Sequence, residues 1–435
     1  MLNTLRHLIG LRSPVRIIYH WIRGFLAFAL SGNPANGMYI IGVTGTKGKT
    51  TTSTLIASAL EASGRPVALL STAQVWMAGE KSENQSKMTM DSPFKLWKLI
   101  KKAKKIGVTH LVLETSSHGI YYFRNFGIRY DAVVLTNISQ DHLDLHGTMD
   151  HYVATKARLF KSEIHKICVL PRDSEYYDVF AKNAGTELVT YSMHSPATYQ
   201  TRSLIANQEG IEMVIKCTTH IPEEAFIKSP LVGTFNAENI LAAYATLRSI
   251  GIETKPMQEA WSKFTGVPGR LELVPNTHGL TILVDYAHTE KSLQSVLETL
   301  RFSMKNEEGR MKNEGPMTHN KIIVVFGATG DRDTTKRPKM GAVVHELADI
   351  IVLTDDDTYT ESSERIIDMV KQGIPREQGD TFQIIPDRKE AIHWALRKAQ
   401  TGDTILIAGK GCETVQVTNK GPIPWSDRKV IEDFL

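Results

Sequence analysis

The stretch Ile40-Ile-Gly-Val-Thr-Gly-Thr-Lys-Gly-Lys-Thr-Thr-Thr52 decides how this chain is read. An apolar run, 38–43, meets a glycine-rich turn, and a helix-forming segment, 52–63, follows. Buried strand, tight turn and helix start is the geometry that presents backbone N–H groups to phosphate. Lys49 can reach a terminal phosphate, and the Thr50 hydroxyl can hold Mg²⁺. The spacing departs from the ordinary phosphate loop, because the residue five before Gly48 is Val43 rather than glycine. The loop is Gly45-x-x-Gly48-Lys49-Thr50. A plain strand-to-helix turn would explain the glycines, but not Lys and Thr directly after them.

Outward from the loop, composition narrows the class. A chain of 435 residues with 42% apolar residues can build two or three cored domains. A net charge of +4 is small for this length, so no nucleic-acid partner is expected. Cys168, Cys217 and Cys412 are far apart and form no CxxC, which argues against a disulfide framework or structural zinc and for a reducing cytoplasm. Upstream, Ser13-Pro14 is a helix start, and residues 13–30 carry Arg16, His20 and Arg23 among Ile18, Trp21, Ile22, Phe25 and Phe28. This helix could lie weakly on an anionic membrane surface, placing the protein peripherally at the inner membrane. The preferred reading docks its apolar face on the protein's own core, with the arginines solvated. Ser31–Gly37 is a turn-rich linker.

Downstream, apolar runs alternate with helical segments. Strands are expected at 67–70, 111–113 and 132–135, a polar loop at 79–86 and a helix at 93–106. Polar clusters follow the strand ends, where doubly wound sheets hold ligands: Glu114-Thr-Ser-Ser-His-Gly119 and Thr136-Asn-Ile-Ser-Gln-Asp-His142. Glu114 suits Mg²⁺ by its hard oxygens. His142, taken alone, is more often a hydrogen-bonded structural histidine. Gly266-Val-Pro-Gly269 is a hinge candidate, and strands at 281–284, 321–326, 350–354 and 404–408 with a helix at 291–302 predict a second α/β sheet. Residues 305–320 are expected to form a mobile surface loop.

These motifs, with His151-Tyr-Val-Ala-Thr-Lys156, Gly233-Thr-Phe-Asn-Ala-Glu-Asn239, Pro268-Gly-Arg-Leu-Glu272, Val284-Asp-Tyr-Ala-His-Thr289, Phe326-Gly-Ala-Thr-Gly-Asp-Arg-Asp333, Lys336-Arg-Pro338 and Ala408-Gly-Lys-Gly-Cys-Glu413, occur in one order over residues 38–435. In that order the chain resembles the Mur ligase family, ATP-dependent amide ligases of peptidoglycan synthesis, and within it the tripeptide-forming branch. The resemblance implies an α/β fold: a short N-terminal segment (1–37), a central P-loop-type ATPase domain with a mainly parallel sheet (38–268), and a C-terminal Rossmann-like domain (269–435) that binds the amino acid. It implies ATP bound by Gly45, Thr46, Lys47, Gly48, Lys49, Thr50 and Thr51, with Asn236 and Asn239 at the adenine and Arg270 and Asp285 near phosphates or ribose. It assigns Lys49, His142 and Lys156 to catalysis, and Thr50, Glu114, His142 and a carbamylated Lys156 to Mg²⁺. A carbamate would turn that lysine from a cation into an anion, which a metal requires. The UDP-muramoyl-peptide acceptor would meet Asp91, Ser92, Ser116 and Arg124. The incoming free amino acid would meet Arg332, Asp357, Tyr359, Gly409 and Glu413. A monomer is expected.

The chain also departs from the family pattern. Only 37 residues precede Met38, so the family's usual N-terminal UDP-binding domain is expected to be missing. Lys47 stands where the family loop carries asparagine, Tyr122 where a glutamine would meet substrate, and Cys412 where a histidine is usual. The Asp-Asn-Pro-Arg stretch of the meso-diaminopimelate enzymes is Asp356-Asp357-Thr358-Tyr359 here. With tyrosine for arginine beside two acids, an anionic distal group on the amino acid is disfavoured and a cationic one, as in L-lysine, is favoured. Two other functions compete: an amide ligase of the same superfamily with another acceptor, folylpolyglutamate synthase-like, and a non-catalytic partner of a cell-wall complex.

Overall fold

The computed structural model describes residues 12–435 except 85, 87, 162, 183, 186, 208–209, 219–222, 265 and 312–319. The chain divides into two units. The first holds the described residues up to Ile205, together with Ile211–Pro230 and Phe235–Phe264, and the second holds the others.

The first unit opens with helix α1 (Pro14–Ser31), which ends at Gly32 in a left-handed cap. It continues through β1 (Tyr39–Thr44), α2 (Lys49–Ala62), β2 (Val67–Leu70), β3 (Gln74–Met77), β4 (Glu80–Glu83), α3 (Pro93–Lys105), β5 (His110–Glu114), α4 (Ser117–Tyr121) and β6 (Ala132–Leu135). Then come α5 (Leu143–His146), α6 (Met149–Ala157), β7 (Ile167–Pro171), α7 (Tyr177–Ala181), β8 (Glu187–Ser192), β9 (Tyr199–Asn207), β10 (Gly210–Cys217), β11 (Glu223–Ser229), α8 (Thr234–Ser249) and α9 (Thr254–Trp261). Among the described residues these strands form one sheet, ordered β11-β10-β9-β8-β7-β6-β1-β5-β2-β3-β4. The middle of it, β6-β1-β5-β2, is parallel. Ile40, Ile41 and Val43 of β1 are fully buried, as a central parallel strand covered on both faces requires. The register sets Glu114 beside Val43 and Leu135 beside Thr44. The polar ends of β5 and β6 thus flank the glycine turn after β1.

The second unit contains β12 (Glu272–Val274), β13 (Thr281–Asp285), α10 (Glu290–Met311), β14 (Ile322–Phe326), α11 (Lys336–Leu347), β15 (Ile350–Leu353), α12 (Ser363–Lys371), β16 (Phe382–Ile384), α13 (Arg388–Lys398), β17 (Thr404–Ala408), β18 (Val415–Thr418), β19 (Gly421–Pro424) and α14 (Asp427–Glu432). Its main sheet runs β12-β13-β17-β14-β15-β16 and is parallel except for the edge strand β12. Arg388 and Asp427, both with no exposed side-chain surface, tie α13 to α14 through two 2.8 Å bonds. Such a pair holds when both charges are satisfied, as the fork geometry allows.

Three local expectations are corrected. The helix after the glycine turn begins at Lys49, not Thr52. The polar stretch 79–86 contains β4, whose side chains are all exposed; it is a strand only because it pairs with β3, Trp76 opposite Lys81. The helix from Glu290 runs to Met311, through the first part of the expected loop, while 312–319 lie outside the described residues.

Candidate active site

In the first unit the glycine turn is braced from two sides. Gly45 (φ 151°) and Gly48 (φ 76°) have no room for side chains: a Cβ would fall 1.9 Å from Thr136 Oγ1 at Gly45 and 2.0 Å from Asn239 Oδ1 at Gly48. The segment after β6 holds the turn in place. Thr46 N–H donates to Asn137 O (2.9 Å), Lys47 N–H to Asn137 Oδ1 (2.9 Å), and Thr136 Oγ1 to Lys47 O (2.6 Å). Thr46 Oγ1 also meets Tyr152 OH at 3.0 Å. On the other side Asn236 and Asn239, buried in the first two turns of α8, bond each other (3.0 Å), and Thr52 Oγ1 lies 3.4 Å from Asn239 Oδ1. Asn239 therefore braces the loop itself.

Three charged groups converge at this turn. Lys49 Nζ donates to Thr46 O at 2.9 Å. Lys156, 1% exposed at the end of α6, donates to Gly45 O at 2.6 Å and forms no ion pair among the described residues. Burial, and then the nearby Lys49, pull its pKa well below the usual lysine value. A lysine held toward its neutral form is a nucleophilic amine, as carbamylation by CO₂ needs. Glu114 is likewise 1% exposed. Its Oε2 accepts from Thr50 Oγ1 (3.1 Å) and Thr72 N–H (2.8 Å), and its Oε1 from Thr72 Oγ1 (3.0 Å). Thr72 escaped the sequence reading because no charge or motif marks it. The Thr50 hydroxyl and Glu114 carboxylate form an adjacent pair of hard oxygens, a donor set that fits Mg²⁺ with water and phosphate completing its shell. His142 is half-exposed, in a left-handed conformation, 3.6 Å from Asp141 and 4.6 Å ring-to-ring from His118. Among the described residues, no three His, Cys, Asp or Glu side chains converge as a metal cage.

The acceptor candidates share one edge of this unit. Arg124 donates to Met90 O (2.6 Å), next to Asp91, which pairs with Lys95 at 3.1 Å. Ser92 precedes α3, and Ser116 caps α4 by accepting from Gly119 N–H at 3.1 Å. Tyr122 is covered by α1, with His20 4.4 Å and Arg16 5.5 Å from its ring.

In the second unit, buried Asp285 accepts from Leu271 N–H (2.7 Å) and Ala287 N–H (2.8 Å), so it shapes the backbone that carries Arg270, itself 5.1 Å from the Tyr286 ring. Burial raises the Asp285 pKa, against the lowering influence of Arg270. Of the amino-acid candidates, Asp357 and Glu413 meet at Lys410, next to Gly409, a lysine the sequence reading passed over inside Gly-Lys-Gly-Cys-Glu. Its ammonium, with no exposed surface, lies 2.6 Å from Asp357 Oδ1 and 2.6 Å from Glu413 Oε2. Burial alone would lower its pKa, but Asp356, Glu413 and Asp357 raise it. Gly409 approaches Asp356 so closely that a Cβ would fall 2.6 Å from Oδ2. The Arg332 guanidinium lies 5.9 Å from the Tyr359 ring. The acids next to Tyr359 are thus countered by Lys410, and the electrostatic expectation built on both of them is reduced to the missing arginine.

Two family models match the chain: the Mur ligase middle domain over residues 43–247 and the Mur ligase, glutamate ligase domain over 269–411. The UDP-N-acetylmuramoyl-L-alanyl-D-glutamate–2,6-diaminopimelate ligase of Geobacillus kaustophilus is 35% identical over 412 residues, covering 93% of this chain and 80% of that protein. The chain belongs to the Mur ligase family. The enzyme of the same name from Synechocystis is 38% identical, covering 94% of this Mur ligase and 78% of the relative. A solved structure of an enzyme so named superposes with a TM-score of 0.66 at 31% identity, over 95% of this chain and 83% of that one. Folylpolyglutamate synthase from Mycobacterium tuberculosis also reaches a TM-score of 0.66, but at 17% identity, which is a likeness of fold alone.

Proposed function

We infer that this Mur ligase is an ATP-dependent acid–amino-acid ligase that adds an amino acid to a UDP-N-acetylmuramoyl-dipeptide-like acceptor in peptidoglycan precursor synthesis. The observation that carries the reading is similarity, over 93–95% of this chain, to enzymes named as UDP-N-acetylmuramoyl-L-alanyl-D-glutamate–2,6-diaminopimelate ligases, joined to a braced glycine turn with a buried lysine and a buried carboxylate beside it. Residues 38–268 act as the ATP-binding part, with Gly45–Thr51 as the phosphate loop, and 269–435 as the amino-acid-binding part. ATP and a UDP-linked acceptor place the reaction in the cytoplasm.

In this reading an acceptor carboxylate oxygen attacks the γ-phosphorus of ATP, ADP leaves, and an acyl phosphate forms. The amine of the amino acid then attacks the acyl carbon, phosphate leaves with the bonding pair, and the amine gives up its proton. The loop N–H groups and Lys49 hold the γ-phosphate against its own charge. Thr50 and Glu114, with His142 and carbamylated Lys156, would hold Mg²⁺, which when bound neutralises phosphate charge. Asp91, Ser92, Ser116 and Arg124 orient the acceptor. Arg332 grips the amino-acid carboxylate with a bidentate guanidinium, beside Asp357, Tyr359, Gly409 and Glu413. With tyrosine at 359 the preferred amino acid lacks a distal carboxylate.

The test is ADP release by the purified protein. Release is expected only when UDP-muramoyl-dipeptide, an amino acid and Mg²⁺ are all present, and is expected to fall by on the order of a hundredfold or more in Lys49→Ala. Release independent of acceptor, or no release with any muramoyl-peptide and amino acid, refutes it.

A further inference from the structure

Helix α1 meets its own unit along one side, at whose border the half-exposed Trp21 and Phe25 touch Phe126 edge-on at 6.1 and 6.0 Å. Gly24 and Ala27 are buried, and Gly24 packs so tightly that a Cβ would fall 2.5 Å from Phe123 O. Phe28 meets Trp97 at 5.5 Å and Phe126 at 6.2 Å. The expectation that the apolar face docks inward therefore holds for this narrow side alone. The outward side is apolar as well: Val15, Ile18, Trp21, Ile22, Phe25 and Leu26 are each 44–65% exposed. Three- and four-residue spacing joins them into one continuous strip. A surface helix ordinarily turns charge to water on this side, and α1 carries only Arg16 and Arg23 as fixed charges.

The surroundings say what covers the strip. No Asp or Glu occurs in residues 1–60. Helix α3, which α1 joins through the Phe28–Trp97 contact and through Arg23 lying 6.0 Å from the Phe94 ring, has six lysines and no carboxylate. Lys95 pairs with Asp91 and Lys104 donates to Asn36 O, but Lys98, Lys101, Lys102 and Lys105 are exposed and form no ion pair among the described residues. A second copy docking by this strip would bring like-charged lysine rows together, because a two-fold interface is self-facing. A surface of anionic headgroups complements both features, taking the apolar strip into its acyl boundary and the lysines against its phosphates. No described helix is long and apolar enough to cross a membrane, so the helix would lie in the plane of the surface.

We propose that α1 and the lysine face of α3 form a docking surface for an anionic lipid bilayer. The inference is independent of the ligase reading and survives its failure. The opposite side of α1 covers Tyr122 and the segment that bears Arg124, so docking sets the membrane next to the candidate acceptor edge.

The test is co-sedimentation of the full chain with vesicles of equimolar phosphatidylcholine and phosphatidylglycerol, against pure phosphatidylcholine. The wild type is expected to bind the anionic vesicles at least tenfold more tightly. Ile22→Glu/Leu26→Glu should lose binding to both by at least tenfold, with unchanged ADP release in lipid-free buffer. Changing Lys98, Lys101, Lys102 and Lys105 to Gln should weaken binding to anionic vesicles only, by roughly fivefold per lysine. The proposal is overturned by equal binding to both vesicles, or by no binding to either. It is also overturned by a dimer in sedimentation velocity that Ile22→Glu abolishes, or by binding that appears only once residues 1–11 are removed.

Discussion

Lys410→Met tests the organisation of the second unit most directly. The substitution keeps an unbranched chain of similar length and deletes the ammonium that lies 2.6, 2.6 and 3.9 Å from Asp357, Glu413 and Asp356. Asp356 and Asp357 are each 3% exposed, so water cannot replace the ammonium without opening the site. Removing one partner of a buried ion pair costs about 3–5 kcal/mol. Asp357 retains the Val417 N–H bond at 2.8 Å, which places the expectation toward the lower end, about 3 kcal/mol. Adding Asp357→Asn removes one stranded charge and should recover roughly half of the loss, a coupling of at least about 1 kcal/mol. Native-state hydrogen exchange at the β17 amides, Thr404–Ala408, reports this unit without assuming that the whole chain unfolds together. A loss below about 1 kcal/mol, or no coupling to Asp357→Asn, would refute the reasoning.

Three further outcomes are expected. Gly48→Ala forces a left-handed alanine and a Cβ 2.0 Å from Asn239 Oδ1; it should destabilise by about 1–2 kcal/mol or more and weaken ATP binding, and a variant with unaltered melting temperature and nucleotide affinity would show the loop to be adaptable. Tyr359→Arg should raise kcat/KM for meso-diaminopimelate at least about tenfold relative to L-lysine, and a wild type that already favours meso-diaminopimelate would overturn the specificity argument. His110 has its pKa lowered to about 4 by burial and by Arg65. Its neutral form is the folded one, so the associated stability is complete above about pH 6.5 and is lost as pH falls toward 4. After allowance for solvent screening the loss is about 1–2 kcal/mol. The His110→Asn variant should melt with a visibly shallower pH slope over that window, and parallel slopes would exclude His110 as a source.

How much was legible beforehand depended on the range of the interaction. The run 38–43, the parallel strands at 67–70 and 132–135 and the helix from Pro93 carry their own signals in hydrophobic runs, caps and turn residues, which act over a few residues. The family motifs added an order that no single glycine turn could supply. The roles proposed for Lys49, Thr50 and Glu114 rest on residue type at a helix start and a strand end.

Partnership between distant segments was not legible, because it is set by packing. Strand β4 exists only opposite β3, and Thr72 matters only because β2 ends beside β5 and its hydroxyl meets Glu114. Lys410 sits in a quoted motif, yet its neutralisation of Asp357 across 53 residues altered the charge argument for the amino-acid site. For residues 14–31 the amphipathic pattern was written in the sequence, but which face meets protein was not. Gly24 and Ala27 turn inward, since only small side chains admit close approach to residues 123–126, and that leaves the larger apolar strip outside. Sequence by itself determined the class of chemistry, through motifs whose members lie within a few residues. Tertiary structure alone decided which charges are satisfied and which apolar face is left uncovered, because burial and pairing depend on segments far apart in the chain.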